Sequence, residues 1–176
     1  MSRISYSGFK FGLVALLLIC FGAIGCQEQL ADATVTSQTA RSLMIKNVDM
    51  YNTGNMALLD MVISPDYVGH YSSRAEDIVG HEGFRNWIRI NRAAYSDFRV
   101  TINKTVAEGD MVCLQWTVTG TQDGAMGEIP ATGKSINVRG LTLARILDGK
   151  IVEEWITWDV LGMYRQLGLT VIPPKV

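Results

Sequence analysis

Asp148-Gly149-Lys150-Ile151-Val152-Glu153-Glu154-Trp155, followed by Trp158-Asp159, is the stretch on which the fold turns. Asp-Gly between two runs rich in β-branched and aromatic residues is a strong hairpin signal. The runs extend from about Ser135 to Leu147 and from about Lys150 to Trp158, so two long antiparallel strands are expected near the end of the chain. The second strand delivers a carboxylate, Asp159, at its end. A carboxylate beside a hydrophobic cavity is a simple proton-transfer device.

Two registers of this hairpin are open. A two-residue turn centred on Asp148-Gly149 pairs Leu147 with Lys150 and puts Asp159 on one face with Val138, Gly140, Thr142 and Ala144. A three-residue turn pairs Ile146 with Lys150 and puts Asp159 with Trp155, Arg139, Leu141, Leu143 and Arg145. A slip of one residue inverts every neighbour. The second register is favoured because Arg145 would then compensate a carboxylate buried in an apolar cavity, which is otherwise costly.

Upstream, Val112, Leu114, Trp116 and Val118 alternate with polar residues, as do Phe98, Val100 and Ile102. Glu108-Gly109-Asp110 turns the chain between those strands, and residues 122–134 form a Gly-rich loop with Pro130. Helical spacing predicts a first helix from Ser37 to Tyr51, stopped by Asn52-Thr53-Gly54. A short second helix is expected from Asn55, as N-cap, to Ile63. Asp66 to Tyr71 reads as a short strand carrying His70. A third helix should run from about Gly80 to Tyr95, with Phe84, Trp87, Ile88, Asn91 and Tyr95 on one face. Arg85, Arg89 and Arg92 then fall on a solvated face. A closing helix, Leu161 to Leu167, should end at Gly168. Helices first and long strands last make an α+β domain.

The chain has 176 residues and a net charge of -1, which suits one domain and gives no field for nucleic acid. Residues 11–25 are almost continuously apolar behind Arg3 and Lys10, the form of a signal peptide. Ala23-Ile24-Gly25-Cys26 resembles the bacterial lipobox, in which the cysteine is diacylated and becomes the mature N-terminus. Residues 1–25 are therefore expected to be a lipoprotein signal peptide, 26–39 a polar tether, and 40–176 the domain. Cys26 would hold the domain on a membrane at the cell envelope, the outer membrane if the source is Gram-negative. Cys113 is then the one cysteine of the domain, so no internal disulfide is expected. No Walker loop, dinucleotide fingerprint or Cys–His metal spacing occurs, so no metal or other cofactor is expected.

Several short pieces occur in a fixed order. They are Tyr67-Val68-Gly69-His70, Gly80-His81-Glu82-Gly83, Gly109-Asp110, Gly120-Thr121, Thr132-Gly133-Lys134, Asp148-Gly149-Lys150-Ile151, Glu154-Trp155, Asp159 and Leu167-Gly168. Together they resemble the SnoaL-like polyketide cyclase, or ester cyclase, family within the nuclear transport factor 2 superfamily. The resemblance implies a cone-shaped, curved antiparallel sheet wrapped around N-terminal helices. It implies an acid–base enzyme acting on a small hydrophobic carbonyl compound in an apolar pocket, with Asp159 as the catalytic residue of an intramolecular aldol closure. The other use of Asp159 is as helix N-cap. His70, Arg145, Trp87, Trp116 and Trp155 are the candidate substrate-binding residues. Gln122 stands where many relatives carry His, and Gln cannot shuttle a proton. The alternative function is a non-catalytic, lipid-anchored binding module for a small hydrophobic ligand. A homodimer packed through its sheets is a further implication of the resemblance.

Overall fold

The computed structural model describes residues 38–170; residues 1–37, which include the expected signal peptide, Cys26 and most of the expected tether, and residues 171–176 lie outside it. A first helix, α1, spans 38–53 and buries Ala40, Leu43, Met44, Asn47 and Met50. It ends at Gly54, whose φ of 71° is open to glycine. Arg92 closes that end rather than facing solvent: its Nη1 donates to the carbonyl of Asn52 at 2.6 Å. A cation there also meets the negative end of the helix dipole.

Asn55 caps the next segment as expected, its Oδ1 accepting from the Ala57 amide at 3.0 Å. The segment is a 3₁₀ turn, Met56–Leu58, that tightens into one turn of helix, α2 (Leu59–Val62). Strand β1 begins at once and is longer than its alternation suggested, Ile63–Tyr71. Pro65 lacks an amide proton, and the pairing of β1 shifts register between Ile63 and Val68, where that proton is not needed. A two-residue strand, β2 (Ile78–Val79), leads into α3 (Gly80–Ala94). Then come β3 (Arg99–Glu108), β4 (Met111–Thr121), β5 (Ser135–Leu147), β6 (Lys150–Trp158) and α4 (Val160–Gln166).

The six strands form one curved sheet in the order β2-β1-β6-β5-β4-β3. It is not wholly antiparallel: β1 and β6 pair in parallel. Burial alternates strictly along β5, from Ile136 through Val138, Gly140, Thr142 and Ala144 to Ile146, so one face is core and the other solvent. The helices pack on the core face. Phe84 of α3 meets Tyr67 and Tyr51 edge-on, with ring centroids 5.5 and 5.8 Å apart.

The decisive hairpin combines features of both registers. Asp148 and Gly149 have φ of 50° and 72°, and Leu147 pairs with Lys150, so a two-residue turn forms. Ile146 then pairs with Ile151 but Arg145 with Glu153, which leaves Val152 as a bulge. The bulge restores the neighbours that the longer turn would have produced. Arg139, Arg145, Leu141, Leu143, Trp155 and Asp159 do share a face, but it is the solvent face. The small residues Gly140, Thr142 and Ala144 line the interior instead. A Cβ on Gly140 would lie 2.3 Å from the Trp116 ring, so only glycine lets that indole cross the sheet there.

Candidate active site

Between the core face and the helices lies a cavity of about 240 Å³. Its wall is mostly apolar. Met44, Asn47 and Tyr51 enter it at helical spacing from α1, and Trp87 and Asn91 from α3. Trp116 of β4 enters over Gly140, its Nε1 donating to Thr142 Oγ1 at 2.9 Å. Alternate residues of β6 supply Glu154, Ile156 and Trp158. At the lip, the exposed Arg74 lays its guanidinium over the Trp87 ring, 5.3 Å from the centroid.

Glu154 is the buried carboxylate of this wall, only 2% exposed. Tyr67 Oη donates to its Oε2 at 2.7 Å and Asn47 Nδ2 to its Oε1 at 2.9 Å. Burial pushes its pKa up to about 7, against the pull of the Tyr67 and Asn47 hydrogen bonds. A carboxyl group poised there exists in both forms near neutrality, which suits a general acid–base. Each oxygen keeps a second lone pair beyond the one its donor uses.

Tyr51 and Tyr71 stand beside it, their hydroxyls 2.8 Å apart. One proton makes that bond and the other is free to donate. Burial and, after it, neighbouring charge raise both phenols above their ordinary pKa, so they remain protonated donors. Two buried polar atoms have no partner among the described residues: Asn47 Oδ1 and Trp158 Nε1.

Of the residues expected to bind substrate, Trp87 and Trp116 line this cavity. His70, Arg145 and Trp155 do not; they meet one another on the opposite face of the sheet. There His70 Nδ1 contacts Asp77 at 2.9 Å, His70 Nε2 contacts Glu153 at 3.0 Å, and Arg145 donates to Glu153 at 2.7 Å. The imidazole also stacks on Trp155, centroids 5.6 Å apart. Hydrogen bonds donated to Glu153 and then to Asp77 raise the His70 pKa, and His70 lowers that of Glu153. Arg145 therefore balances Glu153 in water, not a carboxylate in the cavity.

Asp159 lies outside the cavity as well. It is exposed at the N-cap of α4, with Oδ1 accepting from the Gly162 amide at 2.7 Å. The bulge and the strand's period of two set this: Glu154, Ile156 and Trp158 face in, so Asp159 faces out. The signal for Glu154 was present in the sequence, as a charged residue in phase with Ile156 and Trp158. Gln122, the departure from the family pattern, is fully buried. Its Nε2 donates to the carbonyls of Gly124 and Pro130, and its Oε1 accepts from the Thr132 amide and hydroxyl. It fastens the loop that follows β4.

The family model for SnoaL-like polyketide cyclases matches residues 42–167, and the chain belongs to that family. It is 29% identical to aklanonic acid methyl ester cyclase DnrD of Streptomyces peucetius over 74% of this chain and 91% of that one. It is 28% identical to nogalonic acid methyl ester cyclase of Streptomyces nogalater, over 69% of this chain and 91% of that one. The structure of TsrD from Streptomyces laurentii superposes with a TM-score of 0.68 at 32% identity, covering 76% of this chain and 97% of that one. The fold is shared with a protein of ketosteroid isomerase-like fold from Catenulispora acidiphila, with a TM-score of 0.63 at 20% identity over 74% of this chain and 97% of that one.

Proposed function

We propose that this domain is an acid–base enzyme of the ester cyclase kind, acting on a small hydrophobic carbonyl compound with Glu154 as the catalytic base. The observation that carries this is a single buried carboxylate, with a pKa near 7, in the wall of an apolar cavity. In the ring closure, the Glu154 carboxylate takes a proton from a carbon flanked by two carbonyls. The resulting enolate carbon attacks a further carbonyl of the same molecule, distinct from the two that flank it, and forms the new C–C bond. The oxygen of that carbonyl then takes the proton back from Glu154. The net change is an isomerisation, so no oxidant and no co-substrate is consumed. The Tyr51–Tyr71 pair supplies its one free proton as a donor for the developing enolate oxygen, and the apolar wall folds the chain so that its two ends meet.

The test is turnover of aklanonic acid methyl ester, the compound named for DnrD, by wild type and Glu154→Gln at matched folded fraction. Removing a general base should lower turnover about 10²- to 10⁴-fold. Equal turnover in the variant ends the assignment of Glu154. Binding without turnover by the wild type would make the domain a carrier instead.

A further inference from the structure

Glu154 and the tyrosine pair occupy one part of the cavity wall, and a second polar region lies further along β6. Trp158 is on the same face as Glu154, separated by roughly 13 Å of strand. Its indole Nε1 is buried and has no acceptor within the described residues. Tyr95, at the end of α3, is 3% exposed and also lines the cavity. Its hydroxyl reaches only thioether sulfurs, Met126 Sδ at 3.5 Å and Met163 Sδ at 3.6 Å. Thioethers are weak acceptors. Met163 belongs to α4 and Trp158 lies two residues before that helix, whose Val160, Met163 and Tyr164 also line the cavity, so both donors lie beside its α4 end. The Tyr95 phenol has its pKa pushed up to about 12, chiefly by burial, and so keeps its proton.

A buried donor without a good acceptor costs folding free energy that an apolar side chain at the same place would not. Phe in place of Tyr95 would preserve nearly all of the packing, and an apolar side chain in place of Trp158 would leave no donor to satisfy. We infer that the α4 end of the cavity is a subsite for a carbonyl oxygen, which Trp158 Nε1–H and Tyr95 Oη–H receive together. The oxygen belongs to the part of the ligand remote from the carbon that Glu154 deprotonates. The ligand is thereby one that carries a carbonyl oxygen at the end away from the reacting dicarbonyl. The subsite itself rests on the proposed function only in treating the cavity as a ligand site; its distance from the reacting carbon rests on Glu154 being the base.

The experiment uses a matched pair of rigid probes, 9-fluorenone and fluorene, which differ by one carbonyl oxygen and carry no dicarbonyl carbon for Glu154 to attack. Calorimetric affinities are compared for wild type, Trp158→Phe, Tyr95→Phe and Glu154→Gln. Wild type should prefer fluorenone, and each Phe variant should lose about three- to tenfold of fluorenone affinity while fluorene changes less than about twofold. The bound ketone's infrared carbonyl band should sit lower in wild type and move back in both Phe variants. Tyr95→Phe removes a single hydroxyl and keeps the test available if Trp158→Phe does not fold. Equal affinity of wild type for the two probes, no binding of either included, overturns the inference. So does an equal loss for both probes, which would mean packing alone. If Glu154→Gln leaves turnover intact while the fluorenone preference still depends on Trp158 and Tyr95, the subsite stands and the catalytic assignment falls.

Discussion

Asn47 Nδ2 donates to Glu154 Oε1 at 2.9 Å, joining the first helix to the sixth strand inside the core. The other end of the same amide, Oδ1, has no partner among the described residues. Half a turn about the last side-chain bond would present Oδ1 to Glu154 instead. An ionised carboxylate can only accept and a protonated one must donate, so one asparagine serves both states. This arrangement suits a group that gains and loses a proton in each cycle.

Stability should follow that proton. The Glu154 pKa is raised from 4.5 to about 7 in the folded chain. Between those values the unfolded chain has released a proton that the folded chain retains. Stability therefore falls as pH rises from about 4.5 to 7, then levels, by a total of about 3 kcal/mol from this group. The raised pKa of His70 acts in the same direction, its contribution lost as pH rises through that value. Denaturant titrations of wild type and Glu154→Gln should isolate the Glu154 part. The variant should gain on wild type from about pH 4.5 to pH 7 and hold that gain at about pH 8. A constant difference across that range would mean that Glu154 is not protonated in the folded protein.

The same group should shape the rate. A base must be ionised, so turnover should rise with pH through about 7. Tyr67 and Asn47 both favour the charged form by donating to it. Tyr67→Phe and Asn47→Leu should each move the inflection to higher pH. A packing defect alone would lower the rate without moving the inflection, and that outcome would remove the two donors from the chemistry.

The β architecture was legible because alternation survives one irregularity. Along β4 and β5 the buried residues fall every second position, and the turns at Gly109 and Gly149 are marked by residues suited to positive φ. The site was less legible because its facing depends on the Val152 bulge, which no composition cue announces. The bulge returned Arg145 and Asp159 to a shared face, yet sidedness relative to the helices is a tertiary property. Only the phase of Glu154 with Ile156 and Trp158 carried that information. The β1–β6 parallel pair was likewise invisible, since it joins segments far apart in sequence. Arg92 looked solvated for the same reason: its partners are carbonyls at the end of α1, which helical spacing within α3 does not reveal.

Gly140 tests how tightly the interior is built. A Cβ there would lie 2.3 Å from Trp116 Cη2 and Cζ2 and 2.8 Å from the Thr157 carbonyl oxygen. Overpacking of this kind typically costs about 1–3 kcal/mol. Gly140→Ala should be destabilised by about that amount. Combining it with Trp116→Leu should cost less than the sum of the two single changes, because the ring is then gone. Simple additivity in the denaturation cycle would show that the indole does not lie against Gly140.

Cys26 bears on where the domain acts. The short apolar run before Ala23-Ile24-Gly25-Cys26 motivates the proposal that this cysteine is diacylated. Several acyl chains, at about 0.8 kcal/mol per buried CH₂, hold a protein on a bilayer. Cys26→Ser should release the domain from membranes or leave its precursor uncleaved. Mass spectrometry of the mature N-terminus decides: a peptide that begins elsewhere, with Cys26 unmodified, ends the proposal.

Asp159 and Glu154 can be separated by a pair of conservative substitutions. Asp159 Oδ1 accepts from the Gly162 amide at 2.7 Å, and the side chain is exposed. Asn caps a helix about as well as Asp, whereas Ala does not. Asp159→Asn should therefore keep both stability and turnover, within about twofold in rate. Asp159→Ala should lose about 1 kcal/mol of stability, the usual value of a cap, with turnover per folded molecule again preserved. Glu154→Gln should show the reverse pattern, a folded protein with turnover down by about two orders of magnitude or more. All three variants are compared in one ring-closure assay, corrected for folded fraction by denaturant titration. A large loss of turnover in folded Asp159→Asn would give Asp159 a chemical role despite its place outside the cavity. It would also mean that α4 rearranges when substrate binds, because the N-cap geometry leaves no other route for that carboxylate to reach the interior.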